Sequence, residues 1–354
     1  MRMLDLFSGI GGFHKGFEQA GYEFDWVGFS EIDKYASAVY RHRFPEAVEL
    51  GDITAIQPGD LPKIDLITFG SPCQDFSIAG KRAGAKEGTR SSLIWQAIRL
   101  IAECKPRFFI WENVKGTFSS NSGADFWAII QAFTNIGGYR LEWQLINTRW
   151  FLPQNRERIY LVGYIGDRSG SKVFPIGEDG GTYNVNQTRT KSKTELCTAI
   201  TTREGGRKEN NFVIVDKQMQ KKNNQYYAAN LSGGNHSDMD LIKLKQIGTI
   251  GKDSEATRVY DPDGIARTIK NGGGMGAKTG LYQTNSSIRR LTPIECCRLQ
   301  GFPDDWNEYG EFDGEVKPMS DTQRYKQAGN AVTVNVVQAV AERLKINIRM
   351  RQNA

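Results

Sequence analysis

The chain has 354 residues, 39% hydrophobic and 24% charged, which suits a soluble globular protein of about two domains at roughly 150 residues each. No run approaches the roughly 18 consecutive apolar residues of a membrane span, and the opening MRMLDLFSG meets an acid and a turn too early for a secretory signal. The net charge is +6, and residues 181–290 hold 18 Lys and Arg against 10 Asp and Glu, so the positive excess belongs to that segment, as for a surface that faces a polyanion. Five scattered cysteines form no C-x-x-C pair and no disulfide ladder, which implies a reduced compartment and no structural metal. Only three histidines are present, which restricts chemistry that needs imidazole.

The first 166 residues alternate between strand-like and helix-like runs. Apolar runs fall at MLDLF, WVGFSEI, DLITFG, RFFIWENV and IYLVGYI, with helical stretches such as KYASAVYRHRF and SLIWQAIRLIAEC between them. This alternation predicts a mainly parallel sheet with helices on both faces. From about residue 167 the texture turns to Gly, Asn, Thr and Ser with rising charge, which reads as a loop-rich, mostly β domain. Regular texture returns after RRLTPIECCRLQGFP, and residues 330–345 have the apolar spacing of a helix with Asn330 as its expected N-cap. An α/β domain over 1–180 and 306–354 is expected, with a second domain and hinge over 181–305 inserted before the last helix.

Within the first unit, LDLF runs into SGIGG and then a helix, so that Gly9, Gly11 and Gly12 let the backbone approach a ligand at a helix N-terminus. Glu31 ends the second strand about 20 residues on, where an acid commonly takes ribose hydroxyls. Asp52 falls where a third strand would end and suits an adenine amine. The pyrophosphate fingerprint G-x-G-x-x-G is missing, which points to a nucleoside without phosphates. Further strand ends carry Cys73 behind Pro72, Glu112 with Asn113, and Arg156 with Arg158. A thiol, a carboxyl and guanidinium groups at neighbouring strand ends can converge on one small planar substrate.

The stretches DLFSGIGGF, GSPCQDFSIAGKR, ENVKG, QNRERIYLVG, RRLTPIECCRLQGFP and QAGNAV stand in the order of the DNA cytosine-5 methyltransferases, which the chain resembles outside 167–288. The resemblance implies a Rossmann-like S-adenosylmethionine-dependent domain with an inserted target recognition domain. It implies Cys73 as nucleophile at carbon 6 of cytosine, because a thiolate added there makes carbon 5 nucleophilic. It implies Glu112 at ring nitrogen 3, Arg158 at the ring oxygen, and Arg156 as support for the site. The base has to be flipped out of the duplex to meet these groups.

By the same carry-over, the cofactor is held by Phe7, the turn Gly9, Ile10, Gly11 and Gly12, then Glu31 with Ile32, and Asp52 with Ile53. Pro72 and Leu93 complete that pocket, and Asn330 and Val332 return to it from the end of the chain. Ser77, Lys81, Arg82 and Arg90 belong to a glycine-bearing lid over 76–92 beside Cys73 and are expected on DNA, as are Gln74 and Arg203. Arg267 is expected on DNA, and Thr268 and Ile269 after it are expected against the space vacated by the flipped base, with the Thr268 hydroxyl on a phosphate.

The implied partner is double-stranded DNA, with no membrane and no metal. The implied setting is a cytoplasmic monomer in a bacterium or phage-infected cell, alongside a cognate restriction endonuclease where the enzyme belongs to such a pair. An RNA cytosine-5 methyltransferase of the same fold is disfavoured by the large basic insertion. A catalytically inactive DNA-binding relative is disfavoured by the intact Cys73, Glu112 and Arg158. A cysteine hydrolase lacks a histidine placed to serve Cys73.

Overall fold

Strands covered on both faces read as continuous apolar runs rather than alternating ones, and the first half of this chain is built from such strands. The computed structural model describes residues 1–72, 93–165, 172–176, 196–197, 211–215, 227–230, 244–271, 279–284 and 287–352. β1 (Arg2–Leu6) buries every residue but its first. It leads through a glycine turn to α1 (Gly12–Gln19), then β2 (Trp26–Ser30), α2 (Lys34–Arg43) and the short β3 (Val48–Glu49). β4 (Leu66–Gly70), α3 (Leu93–Cys104), β5 (Phe108–Val114), α4 (Ala124–Ile136), β6 (Tyr139–Asn147), β7 (Gln154–Asn155) and β8 (Glu157–Ile165) follow.

The main sheet has the order β3-β2-β1-β4-β5-β8-β6, continued among the described residues by β10 (Asn211–Val215), β11 (Tyr227–Asn230) and β9 (Leu196–Cys197). β3, β2, β1, β4 and β5 run parallel, and β8 enters antiparallel between β5 and β6. The chain winds outward from β1 through β2 and β3, then crosses to β4 on the other side. The order therefore reverses between β1 and β4, and ligands of open α/β sheets bind beyond the carboxyl ends of strands at such a point.

A second sheet holds β12 (Gln246–Thr249), β13 (Arg258–Tyr260), β15 (Leu281–Thr284) and β16 (Ser287–Arg290), while β14 (Ala266–Arg267) pairs with β7. The chain then forms α5 (Pro293–Leu299), the hairpin of β17 (Tyr309–Phe312) and β18 (Glu315–Pro318), α6 (Asp321–Asn330) and α7 (Val334–Gln352). No helix among the described residues is long and apolar enough to cross a membrane.

Helices cover both faces of the main sheet. Ile94, Ile98 and Ile101 of α3 join Phe126, Ile130 and Phe133 of α4 over one face. Phe13 and Phe17 of α1 join Val336, Val337 and Val340 of α7 over the other. The α1–α7 approach depends on two glycines one helical turn apart. A Cβ on Gly12 would lie 2.6 Å from Val332 Cγ2, and one on Gly16 would lie 2.5 Å from Val337 Cγ1. Local caps fix the other helices. Asp33 accepts from the Tyr35 and Ala36 amides at the start of α2, and Thr292 with Glu295 forms a capping box on α5.

The last helix departs from the expected start. Asn330 closes α6 instead of capping α7, and residues 331–333 form an extended break between the two. Thr333 stands before Val334, and its carbonyl accepts from the amides of Val336 and Val337. The break is stabilised by the Ala331 carbonyl accepting from Arg156, a partner 175 residues away that local helical spacing does not reveal.

Candidate active site

The turn after β1 adopts backbone that L-residues avoid. Phe7, Gly9 and Gly11 have φ of 50°, 55° and 82°. One carboxylate organises it: Glu31, directly after β2, accepts from the amide of Gly9 at 2.9 Å and from the amides of Ile32 and Asp33, each at 2.9 Å. Burial pushes the Glu31 carboxyl above its ordinary range against those three donors. Asp52 is exposed and accepts from the Thr54 amide. Ile32, beside Glu31, is 76% exposed, an apolar side chain left open at the strand ends. A Cβ placed on Gly9 would meet nothing within 4 Å, so the turn faces free space there. Ile10 and Ile53, by contrast, send their side chains into the core, which leaves only their main chain to face a ligand. Leu93 opens α3 and Pro72 is exposed just past β4. Val332 is buried against Gly12, and exposed Asn330 accepts from Asn271 Nδ2 at 2.6 Å.

A second cluster lies one strand further along. Gly70 of β4 pairs with Glu112 of β5, and a Cβ on Gly70 would lie 3.2 Å from Glu112 Oε2. Beyond this pair the two strand ends are tied by side chains. Ser71 Oγ accepts from Trp111 Nε1 at 3.0 Å and from Asn113 Nδ2 at 3.1 Å, while Asn113 Oδ1 accepts from Thr117 Oγ1. Cys73 follows two residues after Ser71 and lies outside the described residues, as do Gln74, Ser77, Lys81, Arg82, Arg90 and Arg203.

Glu112 is buried, and its Oε1 lies 3.1 Å from Arg158 Nε. Burial raises its carboxyl above the ordinary range, and the nearby Arg158 and Arg156 charges pull the other way. β5 and β8 place Val114 opposite Arg158 and Glu112 opposite Tyr160, which brings the carboxyl and the guanidinium to the same face. Tyr160 is fully enclosed against Glu112, and burial raises its hydroxyl.

Arg156 is an interior residue. Its guanidinium donates to the carbonyls of Ile269 and Gly329 at 3.3 Å each and of Ala331 at 2.8 Å. Desolvation lowers its ordinary pKa to about 9. Arg156 is thus spent on main-chain carbonyls, and Arg158 is the guanidinium that pairs with Glu112.

Three residues of the second half expected on DNA, Arg267, Thr268 and Ile269, are engaged within the protein. Arg267 is buried, donates to the Glu255 carbonyl at 2.8 Å and pairs with the Glu255 carboxylate. Ile269 packs with Cys296, Tyr325 and Ala328. The Thr268 hydroxyl donates to the Asn155 carbonyl. A phosphate offers only acceptors, so that hydroxyl has no proton left for one in this arrangement. Pairing of Ala266 and Arg267 with β7, a long-range contact, accompanies the burial of Ala266, Arg267 and Ile269. The site thus includes Ser71 and Tyr160 beside Asn113. The ENV motif marks Asn113, but no local signal marks the other two.

The switch-point turn, the Glu31 clamp and the buried carboxyl–guanidinium pair define a Rossmann-like methyltransferase. Solved structures share the fold: the S. pombe Dnmt2 methyltransferase matches with a TM-score of 0.63 at 17% identity, covering 100% of both chains. A DNA modification methyltransferase encoded within an E. coli prophage matches with a TM-score of 0.59 at 21% identity, covering 99% of each. Among curated proteins, type II methyltransferase M.HhaI of Haemophilus parahaemolyticus is 32% identical over 344 residues, 96% of this chain and 93% of that one. Type II methyltransferase M.NlaX of Neisseria lactamica is 33% identical over 346 residues, 97% of this chain and 96% of that one. The family described as C-5 cytosine-specific DNA methylase matches residues 1–346. The chain belongs to that family and is a DNA cytosine-5 methyltransferase.

Proposed function

We propose that the protein methylates carbon 5 of a cytosine flipped out of duplex DNA, through a transient bond from Cys73 to carbon 6 and with S-adenosylmethionine as donor. The observation that carries this reading is the buried Glu112–Arg158 pair, set one strand from the switch point and across from the strand end that leads into Cys73. Enzymes of this fold use S-adenosylmethionine. The residues present fit it: free space at Gly9, a three-donor carboxylate at Glu31 and the open apolar Ile32 suit a nucleoside without phosphates. When bound, it supplies an electrophilic methyl group.

The chain's own residues prepare the base to accept that group. As the Cys73 sulfur bonds to carbon 6, the electron pair of the 5,6 double bond moves into the ring. A protonated Glu112 holds ring nitrogen 3 and prevents charge from building there, and burial, which raises its carboxyl, favours the protonated form. Arg158 holds Glu112 and reaches the ring oxygen. After carbon 5 is methylated, loss of its proton returns the electron pair, the carbon–sulfur bond breaks, and Cys73 leaves as thiolate. A stacked base cannot reach groups at strand ends, so the reaction requires extrusion. The basic segment within 181–305 supplies target recognition, and the enzyme works as a monomer in the cytoplasm, paired with a restriction endonuclease where one is encoded. Methyl transfer to duplex DNA by the wild type and its loss in Cys73→Ser, with duplex binding retained, is the expected test result. Turnover near wild type in that variant overturns the mechanism.

A further inference from the structure

The stretch RRLTPIECCRLQGFP ends in a corner that the chemistry above does not use. α5 stops at Leu299, and Gly301, with φ of 80°, turns the chain so that the amides of Gly301 and Phe302 donate to the carbonyls of Arg298 and Cys297. Phe302 and Trp306 then enter the apolar cluster that holds Ile10, Phe44 and Cys297. Trp306 is buried, and its indole Nε1 donates to the Ile10 carbonyl at 2.9 Å, from 296 residues further along the chain.

That bond acts on the nucleoside turn at one peptide. The Ser8 carbonyl accepts from the Gly11 amide at 3.0 Å, which closes a turn around Gly9 and Ile10. The peptide between Ile10 and Gly11 is therefore held at both ends, its carbonyl by Trp306 and its N–H by Ser8. A Cβ on Gly11 would lie 2.5 Å from Phe44 Cε2, so the same peptide rests directly on the Phe44 ring. Phe44 meets Trp306 edge-on, with ring centroids 5.6 Å apart. The indole is fixed in turn by α1 and α2. Arg43 Nε donates to the Trp306 carbonyl at 2.8 Å, its guanidinium lies 5.2 Å from the Trp306 ring centroid, and Lys15 Nζ lies 5.5 Å from it. A short turn with glycine at positive φ has other turn conformations within reach, and a buried donor at one carbonyl selects among them.

We propose that Trp306 is a positioning residue for the nucleoside site: by holding the Ile10 carbonyl it keeps the Gly9–Gly12 turn in its binding-competent conformation before the nucleoside arrives. This inference rests on the site reading above, and Trp306 acts in it only through the turn. Apparent affinity is reduced by the fraction of molecules in the competent conformation. A turn released at Ile10 therefore binds more weakly, and saturating nucleoside restores it.

The experiment measures steady-state methylation of a duplex that the wild type modifies, beside calorimetric binding of S-adenosylhomocysteine, with the full chain. Trp306→Phe keeps a buried ring and removes the donor. Its KM for S-adenosylmethionine and its Kd for S-adenosylhomocysteine should rise about five- to tenfold, while kcat at saturating cofactor and the KM for duplex stay within about twofold. Benzothienylalanine at position 306, which has sulfur where the indole has N–H, removes the donor at nearly the same volume and should show the same split. It keeps the proposal testable if Trp306→Phe does not fold. An unchanged cofactor KM in either folded variant overturns the proposal. So does an equal loss in duplex KM or in kcat, the mark of a general disturbance rather than of the turn. A wild type that binds no S-adenosylhomocysteine overturns the site reading instead.

Discussion

Asp5 is fully buried in β1, where Thr68 Oγ1 donates to its Oδ1 at 2.7 Å and the Tyr40 hydroxyl donates to its Oδ2 at 3.4 Å. Burial outweighs both donors and, with Glu31 nearby, pushes its pKa from 3.8 up to about 8. The folded state therefore binds a proton that the unfolded state has lost at any pH between those two values. Stability from this group is fully present below pH 3.8 and declines as pH rises toward 8, by up to about 1.4 kcal/mol per pH unit. His14 Nδ1 lies 3.2 Å from the same Tyr40 hydroxyl, and burial lowers its pKa from 6.5 to about 4. Its effect has the opposite sign, since stability rises as pH climbs from 4 to 6.5. The two slopes offset each other below 6.5, and the Asp5 slope stands alone from 6.5 to 8. Asp5→Asn keeps an acceptor for Thr68 and gives Tyr40 a donor, while removing the titration. Urea unfolding at several pH values should show wild type losing about 2 kcal/mol relative to Asp5→Asn between pH 6.5 and 8. Parallel curves for the two proteins across that interval would refute the buried-proton reasoning.

Glu112→Gln should lower kcat by at least about a hundredfold with a much smaller change in duplex affinity, because its contact strengthens as charge develops on the ring; single-turnover rates beside equilibrium binding check this, and a change confined to cofactor affinity contradicts it. Gly12→Ala puts a methyl 2.6 Å from Val332 Cγ2 and 3.3 Å from the Val332 carbonyl, so it should destabilise by about 1–3 kcal/mol and weaken S-adenosylhomocysteine binding; calorimetry on the variant measures both, and unchanged stability rejects the packing argument.

The parallel half of the fold was legible because its strands are apolar along their length and its helices have apolar stripes. The strand-end acids were legible for the same reason, since Glu31 and Glu112 each close such a run. What stayed hidden was long-range. The break before α7 is set by Arg156, and the interior position of Arg267 follows from Glu255 and the β7–β14 pairing. Neither effect leaves a period in the local sequence. A charged residue in a basic segment reads as surface until its partner is known. The roles of Ser71 and Tyr160 depend likewise on which strand lies beside them, a matter of sheet order rather than of propensity.

The central claim is covalent catalysis by Cys73 on an extruded cytosine. A target duplex carrying 5-fluorocytosine tests it most directly, because fluorine at carbon 5 cannot leave as a proton does and the Cys73–carbon 6 bond cannot be released. With S-adenosylmethionine present, the wild type should form a protein–DNA complex that survives denaturing electrophoresis, and Cys73→Ser should form none. Absence of that complex from a wild type that methylates the ordinary duplex, or its formation by Cys73→Ser, would contradict the account.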